Sequence, residues 1–134
     1  MIDIKNIREQ QSSIENSLRK RDKSISLDDI VSADLSLREL TKKLNDLQSD
    51  QNQQSKEIGI LKSLGKTDDS VFAKLKELSN TIKVFEAEHR IKSKELKSML
   101  LNLPNIPHSS VPSGESEKDN ALIKDCESKK EINF

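Results

Sequence analysis

The chain has 134 residues, 23 of them basic and 23 acidic, so it carries no formal net charge and is not a generic binder of polyanions; any affinity for nucleic acid must come from a local face. At 32% apolar and 34% charged, with three Phe and no Tyr or Trp, it cannot bury a large globular core, whereas a long helical hairpin needs only a narrow seam of Leu and Ile. A single Cys excludes an intramolecular disulfide, the start at Met1-Ile2-Asp3-Ile4-Lys5 lacks the apolar run of a signal peptide, and no stretch reaches membrane-spanning length. A cytoplasmic protein with no membrane partner is expected.

In chain order, residues 1–25 read as short N-terminal helices. Ile2, Ile4, Ile7, Ile14 and Leu18 are expected to pack at the base of the hairpin around Ile25, Leu27, Ile30 and Leu100, and Arg19-Lys20-Arg21-Asp22-Lys23 closes the element. Ser26-Leu27-Asp28-Asp29 has the spacing of a capping box, with Asp in place of Glu or Gln, and predicts the start of a helix of about 35 residues, roughly 50 Å long. Its seam is Leu37, Leu40, Leu44, Leu47, Gln51, Gln54, Ile58 and Leu61. Gly65 marks the reversal, and Thr67-Asp68-Asp69 opens a second helix with acids where the helix dipole favours them. The second seam is Leu75, Leu78, Ile82, Phe85, His89, Lys92, Leu96, Met99 and Leu103, and Pro104 stops it. Steps of three and four throughout are the coiled-coil pattern, and residues 26–103 are read as one antiparallel arm. Residues 104–134 form a connector, punctuated by Pro and Gly to Gly114 and then by short strand-like pieces. It runs to Ile132-Asn133-Phe134 and stops on an unpaired apolar residue, as expected of a domain belonging to something longer. The fold class is therefore all-α: a long antiparallel two-helix coiled-coil hairpin with a small helical base and an irregular C-terminal connector.

Antiparallel folding puts the b and e rows of both helices on one side and the c and g rows on the other. The b/e side carries Arg38, Lys62, Lys76, Lys83, Arg90 and Lys97 against Glu86 alone. The c/g side carries Glu39, Asp46, Asp50, Glu57, Glu77, Glu88 and Glu95 against Lys43 and Lys74. Lys76, Lys83, Arg90 and Lys97 occupy every b position of this stretch, about 10.5 Å apart, a row that can follow a phosphate backbone as readily as it can merely keep a helix soluble.

Gly59 sits inside a helix at b, away from the seam, at a cost of about 1 kcal/mol relative to Ala. With Asn52, Ser55 and Lys62 it forms a small, acid-free stripe on which an RNA backbone could lie close, and Lys56 at f stands beside it. Gln51 and Gln54 read as register-setting seam positions, Lys92 as a seam lysine that snorkels out, and His108 as a structural hydrogen-bonding residue. No catalytic constellation is present: there is no nucleophile with a base, no glycine-rich phosphate loop, and no ligand spacing for a metal.

Met1-Ile2-Asp3-Ile4-Lys5, Ile7-Arg8-Glu9 and Leu18-Arg19-Lys20-Arg21 resemble the start of bacterial seryl-tRNA synthetases. Asn52 with Ser55-Lys56-Glu57-Ile58-Gly59 resembles the family's arm motif, and Leu103-Pro104-Asn105-Ile106-Pro107-His108 with Val111-Pro112, Gly114 and Asp119-Asn120 its connector to the catalytic domain. The departures are Gln51 where the family often has Arg, Ser109 where it often has Pro, and Gln10-Gln11 where it has Asn-Pro. The resemblance implies an arm that binds the long variable arm of serine tRNA, with Asn52, Ser55, Lys56, Gly59, Lys62, Lys76, Lys83 and Arg90 as the candidate contacts. It also implies a homodimeric parent enzyme of class II, a serine-tRNA ligase using ATP and Mg. Its catalytic domain would be a partner outside this segment, so the segment itself is expected to be monomeric, non-catalytic and without a cofactor. The alternative is a structural or adaptor coiled coil whose charged faces serve proteins.

Overall fold

The computed structural model describes residues 1–65, 69–114 and 116–122. Three helices follow one another, α1 (Ile4–Leu18), α2 (Asp28–Ser63) and α3 (Asp69–Asn102), and a single 3-10 turn spans Glu117–Asp119. Among the described residues there is no strand. The chain forms two compact units, one made of Asp28–Leu103 with Met1, the other of Ile2–Leu27 with the described residues from Pro104 onward.

In the first unit α2 and α3 pack along their length. The helix α2 begins at Asp28 with two acids in its first turn, which suits the positive end of the dipole, and its 36 residues give a rod of about 54 Å. It ends where Gly65 takes a left-handed φ of 69°, a conformation that costs a residue bearing a Cβ, while the Gly65 amide donates to Lys62 O at 3.1 Å. The helix α3 begins at Asp69; Thr67 and Asp68, expected to cap it, lie outside the described residues. It stops at Asn102, two residues before Pro104.

The expected seam is the buried stripe. Leu40, Ile58, Ile82 and Leu96 are buried, and the other seam positions up to Lys92 are half-buried. At the end of α3 the stripe shifts by one residue: Met99 is 38% exposed and Leu100 is buried at 7%. A straight α-helix drifts about 20° per heptad from a strict 3.5 repeat, so a projected seam walks off its row over five turns. Towards the start of α2 the stripe includes Ile30 and the carboxylate residue Asp34, which is 6% exposed and was not on the expected seam.

The second unit is held by polar staples around an apolar centre of Ile2, Ile7, Ile14, Leu18 and Leu27, all buried. Asp3 caps α1 by accepting from the Lys5 amide at 2.8 Å. The helix leaves helical geometry at Gln10 (φ −135°, ψ 37°), so the expected short helices are two segments joined at a kink. At the C-terminal end of α1 the Glu15 carboxylate pairs with Arg19 and accepts from the Leu27 amide at 3.2 Å, while Arg19 Nε donates to the Ile25 carbonyl at 3.0 Å. Asp22 accepts from the Ser24 hydroxyl at 2.7 Å and from its amide at 2.9 Å, and the hydroxyl bond first, then the amide bond, holds its pKa below the usual carboxylate value. This turn is therefore supported above that value and loosens as pH falls through the lowered one.

In the connector the His108 ring Nδ1 accepts from the Ser110 amide at 3.3 Å and meets the Ser110 hydroxyl at 2.8 Å, the structural role expected of it. Asp119 Oδ2 accepts from the Ser116 amide at 3.0 Å and its hydroxyl at 3.3 Å. Gly114 lies so close to that turn that an added Cβ would stand 2.4 Å from Asp119 Cβ. No strand forms in the described part of the connector; Ile132 and Phe134, and Cys126, lie outside the described residues.

Two stability outcomes follow from this packing. Truncating Ile82 to Ala should cost about 2–3 kcal/mol in urea unfolding, since it removes a buried seam side chain, whereas Lys76→Ala should stay within about 0.5 kcal/mol. Gly114→Ala should displace Asp119 and abolish the protection of the Ser116 amide in hydrogen exchange, leaving exchange in α2 and α3 unchanged.

Candidate nucleic-acid interface

Four contacts define how α2 and α3 face each other. Gln48 Nε2 donates to Glu86 Oε1 at 3.2 Å, and the Lys62 ammonium lies 4.9 Å from the centroid of the Phe72 ring. All four residues are at e, so e stands opposite e, as an antiparallel pair requires. On the other side the Lys92 ammonium reaches out of the seam to Ser36 Oγ at 2.9 Å and Glu88 at 3.4 Å, the snorkelling expected of it. His89 is held in the seam against Thr41, Nε2 to Oγ1 at 3.1 Å. The Thr41 hydroxyl donates its one proton to Leu37 O at 2.7 Å, so His89 Nε2 is the donor between them.

This register puts the six b/e cations on one side, and every one of them is exposed. Arg38, Lys76, Lys83, Arg90 and Lys97 have no protein partner among the described residues. The one acid of that side, Glu86, is engaged by a neutral amide and neutralises none of them. Unpaired ammonium and guanidinium groups in a row are the arrangement that meets a polyanion at low desolvation cost.

The candidate residues do not form one patch. Because Lys62 faces Phe72 and Gln48 faces Glu86, α2 residues 52–62 run opposite the stretch of α3 that carries Lys76 and Lys83. Lys76, Lys83, Ser79, Asn80, Gln51 and Phe72 line a shallow groove on this half. Asn52, Ser55, Gly59 and Lys62 are exposed across from it, with Lys56 exposed on the outer row. Arg90 lies beyond Glu86, in the half that also carries Arg38. Nothing lies within 4 Å of the position a Gly59 Cβ would take, so no internal packing requires glycine there.

Sequence reasoning missed Phe72, the one aromatic ring of the groove, whose e position beside Lys76 at i+4 was the available signal. It also undervalued Ser79 and Asn80, which a charge count passes over. Among the described residues no cluster of three or more His, Cys, Asp or Glu could hold a metal ion, and no helix is long and apolar enough to cross a membrane.

Comparison with known proteins converges on one family. The sequence model of the seryl-tRNA synthetase N-terminal domain matches residues 1–107. A serine–tRNA ligase of Syntrophobacter fumaroxidans is 32% identical over 134 residues, covering 100% of this chain and 32% of that protein. One from Alkaliphilus oremlandii is 35% identical over 125 residues, covering 92% and 29% respectively. The crystal structure of a seryl-tRNA synthetase from Pyrococcus horikoshii complexed with ATP superposes with a TM-score of 0.78 at 35% identity, over 89% of this chain and 27% of that one. The chain thus spans about a third of the length of these relatives. Its two long packed helices and its sequence over residues 1–107 agree, and the chain belongs to the family of the seryl-tRNA synthetase N-terminal domain.

Proposed function

We propose that this chain is the tRNA-binding arm of a seryl-tRNA synthetase and that the b/e side of α2 and α3 meets the phosphate backbone of the long variable arm of serine tRNA. The observation that carries this reading is the segregation of unpaired cations onto one side of a hairpin whose other side is acidic. Phosphate contacts from Lys76, Lys83 and Lys62 would fix the position and orientation of the RNA, and the exposed, side-chain-free Gly59 would let a strand approach α2 between Asn52, Ser55 and Lys56. Arg90 would add a contact further along α3. The acidic side would repel the RNA and so choose the face. Aminoacylation, with its ATP and Mg, is assigned to a catalytic domain of the parent chain, for which the arm would hold the acceptor end in place.

The rival reading, an adaptor for proteins, draws on Val84 and Ile91, which stand 67% and 56% exposed at c on the acidic side. Each helix already fills the other's seam, so the 134-residue chain should sediment as a monomer. A tight dimer at micromolar concentration would favour the adaptor.

Charge reversal separates the two sides. Lys76→Glu with Lys83→Glu should abolish binding to a serine tRNA in a filter or fluorescence titration at low salt while leaving helicity intact, whereas Lys43→Glu with Lys74→Glu should have a much smaller effect. Equal losses would sink the assignment of the basic side. The parent's affinity should fall as salt is raised, with a log-log slope of roughly −2 to −4 for three to five phosphate contacts. Gly59→Leu should stabilise α2 by up to about 1 kcal/mol in thermal unfolding yet weaken the same tRNA complex. Undiminished binding by that variant would show that the stripe is not an RNA surface.

A further inference from the structure

The basic run Arg19-Lys20-Arg21-Asp22-Lys23 has no part in the arm, yet the second unit gathers it against the connector. Arg19, Lys20, Arg21 and Lys23 line an open groove together with Ser113 and Gly114. The Lys20 ammonium donates to the Val111 carbonyl at 3.5 Å, which ties the two segments together.

The simple role for cations at this place is to complement the negative end of the α1 dipole. That end amounts to about half a charge, and four cations exceed it several-fold. Its carbonyls are also already bonded: Glu15 O accepts from the Arg19 amide at 2.9 Å, and Leu18 O from the Arg21 amide at 2.9 Å and the Asp22 amide at 3.3 Å. Arg19 is committed to Glu15 and the Ile25 carbonyl. Arg21 is exposed and has no protein partner among the described residues.

Asp22 also lines the groove, with its carboxylate bonded to Ser24, and Asp119 is bonded to Ser116. Across from the cations stand Ser113, which offers a hydroxyl, and Gly114, whose side-chain direction is taken by Asp119. No aromatic ring lines the groove and it is open, so its chemistry suits a phosphate on a chain and not a stacked base.

We propose that the groove between residues 19–23 and Ser113-Gly114 is a second phosphate-binding site, which takes a backbone phosphate of the bound RNA outside the arm, with Arg21 as its principal contact. This rests on the reading of the chain as a tRNA-binding arm, and the experiment separates the two.

The 134-residue chain is titrated with a serine tRNA across a salt series, alongside Arg21→Glu, Arg21→Lys and the Lys76→Glu, Lys83→Glu pair, with helicity checked by circular dichroism. The groove site predicts that Arg21→Glu binds roughly three- to tenfold more weakly and that its salt slope falls by about one, while Arg21→Lys restores both. In the labelled parent chain the amide resonances of Ser113 and Gly114 should shift as the tRNA is added. Parent-like binding by Arg21→Glu, with those amides unmoved and the Lys76→Glu, Lys83→Glu pair defective, overturns the groove and leaves the arm standing. If the parent chain binds no tRNA, the arm reading falls and the groove falls with it.

Discussion

Everything proposed for this chain depends on the antiparallel register of α2 against α3. The seam is narrow, about one side chain per turn of each helix, and its core of buried Leu and Ile fixes which rows of each helix become neighbours. Gln48 against Glu86 and Lys62 beside Phe72 place e opposite e, and that decides the chemistry of the surface. Had the helices run parallel, e would have faced g, and each side of the pair would have mixed cations with acids. The charge asymmetry is thus a product of topology as much as of composition.

The seam also tolerates polar residues, in two ways. Lys92 and His89 are satisfied by Ser36, Glu88 and Thr41, so their presence costs packing without leaving a polar group unpaired. Gln51 and Gln54 are half-buried beside the groove half of the arm, where the apolar contact between helices is interrupted.

The second unit works by different physics. Its apolar centre is five buried side chains, and directed bonds brace it: Glu15 with Arg19 and the Leu27 amide, Arg19 with the Ile25 carbonyl, Asp22 with Ser24, and Asp119 with Ser116 over Gly114. Motifs that look like sequence signatures at the two ends of the chain, Leu18-Arg19-Lys20-Arg21 and the stretch from Val111 to Asp119, turn out to belong to one unit. The kink at Gln10 falls between the buried Ile7 and Ile14, in a stretch of α1 that contains no proline.

The two helices, their reversal at Gly65 and their stop before Pro104 were legible in the residues, because a period of 3.5 and a left-handed glycine act locally and need no knowledge of the rest of the chain. The separation of charge followed from that period once an antiparallel turn was assumed. The burial of Asp34, the exchange of Met99 for Leu100 at the end of α3, and the division of the basic row at Glu86 were decided only in three dimensions. Accumulated helical drift and the pairing of specific e positions are properties of two helices together, and no single-helix projection contains them. The same holds for the groove at Arg21: residues 19–23 and 113–114 stand some ninety positions apart, and only the fold, through Lys20 and Val111, makes them neighbours.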